Sequence, residues 1–245
     1  MIRRSARGLT AAALALREVT LTLAPGRDLR LLLPQDWRDV PHHPDRPPFW
    51  AVPWPSGTAM AARLLYEPAL VADKRVCELG CGVGAAGIAA ALAGARHTTL
   101  FDRDASALTC AQRGMVANGV PASATTTAEL DWLAEEPSSP QEPFDVVLAC
   151  DVFFQDGCMP PLTQLLSRLT APGGTLLTAM PVESEYRVQA TQAEAEACIA
   201  ALVASGSFEP VSTEEASGMQ LPGEGPEGLA PSRRVLITAL HRTDD

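Results

Sequence analysis

The 245-residue chain predicts an α/β fold, a doubly wound and mostly parallel sheet of seven strands preceded by a β-hairpin. Three observations predict it. Short apolar strand-like runs alternate with helical stretches from residue 75 onward. A glycine-rich turn, Glu78-Leu79-Gly80-Cys81-Gly82-Val83-Gly84, follows the first of those runs. An acid, Asp102, ends the next one, in the position that closes a nucleotide-binding β-α-β unit.

Each element has its own justification. Residues 17–24 alternate polar and apolar, Pro25-Gly26-Arg27-Asp28 reads as a turn, and Leu29–Leu33 is the returning strand. From Pro41 to Pro55 prolines fix φ and withhold backbone donors, so this stretch, with Phe49, Trp50 and Trp54 inside it, is expected to be irregular. Residues 1–57 are therefore read as a hairpin and a Pro/Trp-rich segment packed on a core formed by residues 58–245. Within that core Thr58–Tyr66 is a helix, Val76–Leu79 a buried strand, Ala85–Ala93 a small-residue helix and Thr98–Phe101 a strand. Asp104 is placed to cap a helix ending at Asn118-Gly119. Ala122–Thr127 is a third strand, and the apolar run Phe144–Cys150 suits a central parallel strand. Pro160–Thr170 is a helix, Pro172-Gly173-Gly174 a turn and Thr175–Met180 a strand. An Ala-rich helix over 187–205, strands Phe208–Thr213 and Val235–Leu240, and a flexible loop over 216–232 complete the pattern.

Composition bounds the function. Hydrophobic residues make up 47% and charged residues 20%, which suits a sizeable core. The net charge of −10 is divided unevenly: residues 1–75 hold 11 basic and 7 acidic residues, the rest 8 basic and 22 acidic. Such an acidic body argues against a nucleic-acid-binding surface. No 18-residue apolar run is present, so no membrane span is expected. The six cysteines form no C-x-x-C pair and read as reduced core residues. His42-His43 lacks companions for a metal site, and no metal is expected. The start, Met-Ile-Arg-Arg-Ser-Ala-Arg, fits the frayed terminus of a cytoplasmic protein or, as the alternative, a mitochondrial or plastid presequence. A monomer is expected.

The chemistry centres on the glycine turn. Glycines there let backbone approach a ligand, and the following helix start offers free N–H donors. Asp102 is where a carboxylate takes ribose hydroxyls. A nicotinamide site competes, because Gly82-x-Gly84-x-x-Gly87 satisfies the dinucleotide spacing. Against it, the glycines begin directly after the strand, and Glu78 precedes them. A carboxylate at that point suits cationic groups better than a pyrophosphate, and S-adenosylmethionine carries an ammonium and a sulfonium with no phosphate.

Several segments together resemble a family. Glu-Leu-Gly-Cys-Gly-Val-Gly, Phe-Asp-Arg-Asp, Leu130-Asp131-Trp132 and Phe144-Asp-Val-Val-Leu-Ala-Cys-Asp151-Val-Phe-Phe154 resemble the seven-strand methyltransferases that modify protein lysines. Pro48-Phe-Trp-Ala-Val-Pro-Trp54-Pro-Ser-Gly57 is similar to the electron-transfer-flavoprotein β-subunit lysine methyltransferase branch. The likeness covers roughly residues 47–180. It implies that Trp54 borders the cofactor pocket and that Gly80, Cys81 and Gly82 contact the methionine part. It implies further that Asp102 holds the ribose, that Trp132 with Asp131 flanks the adenine, and that Cys150 lines the pocket. Asp151 to Phe154 would form the post-strand tetrad at the substrate entrance.

Read without the family, Asp151 is an acid at the carboxyl end of a central strand, facing the cleft. It is assigned to binding and orienting an amine, with Phe154, helped by Phe153, as a dry aromatic wall. Phe49 and Trp50 read more readily as core beneath the hairpin, and Asp104 as a helix cap. Tyr186, beyond the fifth strand, is weighed as a residue closing the site and not adopted. The reading is thus an S-adenosylmethionine-dependent methyltransferase acting on a protein lysine. Its rivals are a small-molecule amine methyltransferase, an NAD-dependent oxidoreductase and a non-catalytic binding protein.

Overall fold

The structure, a computed structural model, describes residues 14–40, 42, 48–134, 142–153, 159–182, 192–219, 221 and 232–243. Their strands are β1 (Leu16–Ala24), β2 (Arg27–Pro34), β3 (Arg75–Leu79), β4 (His97–Asp102), β5 (Thr125–Glu129), β6 (Phe144–Cys150), β7 (Thr170–Pro181), β8 (Phe208–Met219) and β9 (Ser232–Arg242). The helices are α1 (Pro55–Tyr66), α2 (Ala85–Leu92), α3 (Ala105–Ala117), α4 (Met159–Leu169) and α5 (Gln192–Ala204).

β1 and β2 form the expected hairpin as a separate two-stranded sheet. The turn is tighter than the four residues anticipated: Ala24 already pairs with Arg27, so Pro25-Gly26 alone reverse the chain. Period-two alternation buries Leu29, Leu31 and Leu33 with Leu21 against Ile88 of α2 and Ala111 and Met115 of α3. Each such side chain contributes about 1.5–3 kcal/mol on leaving water. Asn118 ties the hairpin down, accepting from the Arg30 N–H at 3.0 Å and donating to the Arg30 carbonyl at 2.6 Å.

The second sheet has seven strands in the order β5-β4-β3-β6-β7-β9-β8, with β9 antiparallel to both its neighbours. Chain order reverses between β3 and β6, so the crevice for a ligand lies beyond the carboxyl ends of those two strands. The strands there are buried on both faces. Val147, Ala149 and Leu176 belong to the cluster with α4 and α5, and Val76, Val146 and Leu148 to the cluster with α1 and α2. Among the described residues no helix is long and apolar enough to cross a membrane.

Four expectations need correcting. α1 starts at Pro55 instead of Thr58, because proline at the first helical position gives up an N–H that has no partner anyway. β5 begins at Thr125, after a short 3-10 turn over Ala122–Ala124 led by Pro121. Pro172–Gly174 lie inside β7 as an irregularity, since Phe144 pairs with Thr170 and Val146 with Thr175. Of the flexible loop expected over 216–232, residues 216–219 and 232 are strand instead, because β8 stays paired to β9 as far as Met219↔Ser232, and 220 and 222–231 lie outside the described residues. Asp104 caps α3 as expected, accepting from the Ser106 N–H at 2.8 Å.

Candidate active site

A cleft of about 110 Å³, open to solvent, lies at the reversal point. Its floor is β3, the glycine turn and the end of β4. Its roof is the segment from Phe49 to Trp54, and its far walls are Trp132 and the residues closing β6, Cys150 and Asp151.

The floor is bare backbone by necessity. Gly80 has φ 67°. A Cβ there would stand 2.9 Å from Val152 Cγ1 and 3.4 Å from the Trp132 ring. Gly82 has φ 52°, and a Cβ would stand 3.2 Å from the Trp50 carbonyl oxygen. Side chains at these points would strain the chain and fill the cleft. Asp102 fastens the turn: one oxygen accepts from the Gly82 N–H at 2.8 Å, the other from the Asp104 N–H at 3.0 Å. Burial raises its pKa to about 6 despite those two donors. Glu78 lines the same floor, 2% exposed, and accepts from the Gly87 N–H at the start of α2 at 2.7 Å. Burial lifts its pKa to about 8; the Gly87 N–H opposes this and the charge of Asp102 adds to it. Two acids held in a dry floor are a receptor for positive charge, which would favour their ionised forms.

Gly87, the third glycine of the competing nicotinamide frame, lies inside α2. A Cβ on it would meet Glu78 Oε2 at 2.8 Å and overlap the Leu100 side chain. Its role is close helix–sheet packing, which leaves Gly80 and Gly82 as the ligand-facing pair.

Cys81 and Cys150 line the cleft as expected. Burial pushes both thiols well up, so they are neutral apolar lining and not nucleophiles. Cys77, Cys110 and Cys198 are likewise buried, and Cys158 lies outside the described residues. Trp132 is 6% exposed, and its Nε1 has no hydrogen-bond partner among the described residues. A buried donor of this kind leaves a cost on the order of 1–3 kcal/mol that a ligand acceptor would remove. Asp131 does not accompany it into the cleft; its carboxylate accepts from the Leu133 N–H at 3.0 Å and closes a turn.

Asp151 follows the last residue of β6 and lines the cleft. Its φ of 53° places it in the left-handed region, which aspartate tolerates better than most residues. Its N–H donates to the Ala179 carbonyl of β7 at 3.0 Å, so the sheet itself holds the turn. Strained backbone beside a ligand cleft is where functional groups are aimed. Phe153, expected to help with an aromatic wall, is instead 2% exposed in the core cluster with Leu162 and Leu166. Phe154 and Tyr186 lie outside the described residues.

The roof holds residues that sequence reasoning assigned elsewhere. Phe49 and Trp50, read as plain core, line the cleft with Trp54. Phe49 and Trp54 meet edge to face at 6.1 Å, and Trp54 Nε1 donates to the Phe49 carbonyl at 2.7 Å. Trp50 also packs against the hairpin cluster, as expected of a core residue. The signal was the density of aromatics in a Pro-rich stretch, which had to cover something.

This sheet order and this cleft define a Rossmann-like methyltransferase fold. Solved structures agree. An N-methyltransferase NodS from Bradyrhizobium japonicum, in complex with S-adenosyl-L-homocysteine, aligns with TM-score 0.54 at 19% identity over 74% of this chain and 84% of its own. Magnesium protoporphyrin IX methyltransferase from Synechocystis, with S-adenosylmethionine bound, aligns at 0.53 and 19% identity over 76% and 78%. The chain belongs to the lysine methyltransferase family, whose pattern matches residues 52–191. It is 32% identical over 157 residues to the electron transfer flavoprotein beta subunit lysine methyltransferase of Danio rerio, covering 63% of this chain and 58% of that one. It is 30% identical to protein N-lysine methyltransferase METTL21A of the same species, over 64% and 68%. The chain spans between 35% and 58% of the length of the flavoprotein-subunit methyltransferases it matches.

Proposed function

We propose that the protein transfers a methyl group from S-adenosylmethionine to the side-chain amine of a lysine in another protein. The observation that carries this is the coincidence of the family match, residues 52–191, with the cleft. All the cleft-lining residues except Phe49 and Trp50 fall inside it.

The residues fit the cofactor. Gly80 and Gly82 give the clearance that a methionine chain needs against the floor. Asp102 keeps acceptor capacity for ribose hydroxyls, and Trp132 offers a ring face and an N–H to a base. The floor acids suit its ammonium and sulfonium. Bound there, S-adenosylmethionine supplies an electrophilic methyl, and the sulfur–methyl bond breaks as the nitrogen–methyl bond forms.

The remaining work is positioning. In-line displacement needs a neutral amine held close to the methyl with its lone pair aligned. Losing a lysine proton at pH 7 costs about 4–5 kcal/mol in water. Asp151 alone would raise the amine pKa, so its part is to draw in and orient the ammonium. The aromatic lining of Phe49 and Trp54 desolvates it and lowers that cost. The proton leaves to water.

The test uses tritiated S-adenosylmethionine with the β-subunit of electron transfer flavoprotein, the acceptor that the relatives' names point to, and with a cell extract. Label recovered as methyl-lysine is expected; label found solely in small molecules contradicts the reading. Asp151→Asn should lower turnover by about ten-fold or more with S-adenosylhomocysteine affinity unchanged. Equal damage to both would make Asp151 a structural residue.

A further inference from the structure

A contact that the sheet does not need joins the start of α1 to the end of β8. Thr58, on the first turn of α1, is 1% exposed. Its hydroxyl accepts from the Met219 N–H at 2.7 Å and lies 2.9 Å from both the Met219 and the Pro55 carbonyl oxygens, which share its single proton. Its partner is 161 residues away in sequence, at the end of β8 and outside the segment matched by the family. Gly218 makes the contact close. A Cβ there would overlap the Pro55 carbonyl oxygen. β8 is already aligned by its ladder with β9 from Phe208↔Arg242 onward. The consequence of the clip therefore falls on α1.

From α1 the contacts run to the cleft without a gap. The Thr58 N–H donates to the Trp54 carbonyl at 3.1 Å. Trp54 Nε1 holds the Phe49 carbonyl, and the Trp50 backbone lies on Gly82. Met219, Leu221 and Trp50 all pack against one hydrophobic cluster that includes Cys81 and Val83 of the glycine turn.

We infer that Thr58, with Gly218 and Met219, is a positioning site for cofactor binding: the end of β8 braces the first turn of α1 and thereby sets the aromatic roof over the glycine turn. The inference rests on the reading of the cleft as the S-adenosylmethionine site. No part of the brace touches the ligand; it acts through Trp54 and Trp50. A hydroxyl is required, since valine has the shape of threonine but would leave the Met219 N–H and carbonyl without their partner.

The experiment is calorimetric titration of the full chain with S-adenosylhomocysteine. Thr58→Val should raise the dissociation constant about five- to ten-fold, and Thr58→Ser should restore it to within about two-fold. In turnover assays the same variant should raise KM for S-adenosylmethionine while kcat stays within about two-fold. In the unaltered protein, linkage requires that S-adenosylhomocysteine slow hydrogen exchange at the Met219 amide. This readout needs no variant to fold. Equal affinities for wild type and Thr58→Val, failure of Thr58→Ser to rescue, or an unchanged Met219 exchange rate would each overturn the inference. A wild type that binds no S-adenosylhomocysteine is a different result, because it removes the cofactor reading on which the brace depends.

Discussion

The floor and the roof of the cleft are built by opposite means. The floor runs from Glu78 to Asp102, and its parts are neighbours in sequence. Backbone N–H groups satisfy its acids, and glycine keeps its surface clear. The roof, Phe49 to Trp54, has no regular structure beyond one short 3-10 turn. It is fixed by contacts with the hairpin cluster, with Gly82 and, through α1, with the end of β8. Damage to the floor should therefore abolish binding, whereas damage to the roof's supports should weaken it by degrees.

The largest effect is expected from Gly80→Val, which forces a β-branched residue into φ 67° and against Val152 and Trp132. It should cost about 2–4 kcal/mol of folding stability and remove measurable cofactor binding, read by thermal unfolding and calorimetry. Retained affinity would mean that the floor yields as readily as the roof. Asp102→Ala comes next, weakening cofactor binding by about 1–3 kcal/mol through lost hydrogen bonds to a charged acceptor. Unchanged affinity would remove Asp102 from the site.

The pH dependence of the floor follows from its acids. Folding raises Asp102 from 3.8 to about 6 and Glu78 from 4.5 to about 8. The folded chain therefore holds protons that the unfolded chain releases. The stability this confers is complete below the unfolded values and is lost as pH rises through the folded ones. The unliganded protein should show a Tm that falls as pH rises from 4.5 to about 8, and Glu78→Gln should flatten the upper part of that fall. A Tm that climbs over this range would contradict the burial argument. The smallest effect is expected at Glu215, an exposed residue of β8 paired with Arg234 of β9. Glu215→Ala should leave cofactor affinity unchanged and Tm nearly so, since exposed pairs contribute little. A drop in affinity comparable to that of Thr58→Val would show that the whole β8–β9 ribbon, and not the clip, supports the roof.

The same division governs what could be read from sequence. The strands β3, β4 and β6, the glycine turn, Asp102 and the cap Asp104 were legible because their signals are local: apolar runs, glycine spacing, an acid at a strand end. Trp54, Trp132 and Cys150 reached the cleft through family likeness. The cleft-facing side of Phe49 and Trp50 was hidden because a Pro-rich segment carries no period from which a facing can be read, although Trp50 does also pack on the hairpin cluster. Phe153 was misassigned because one residue's turn after Asp151 decides between core and cleft. Asp131 next to Trp132 was drawn into the site by adjacency, though its carboxylate serves a turn. The extension of β8 to Met219 was hidden because Glu214-Glu215-Ala216-Ser217-Gly218 carries no apolar alternation, and Thr58 on α1 lies 161 residues away.

The cleft is shaped for a sulfonium-bearing adenosine and not for a pyrophosphate. Titrating the protein with S-adenosylmethionine and, separately, with NAD tests it most directly. One S-adenosylmethionine bound per chain is expected, with no heat from NAD. Saturable binding of NAD together with none of S-adenosylmethionine would contradict it.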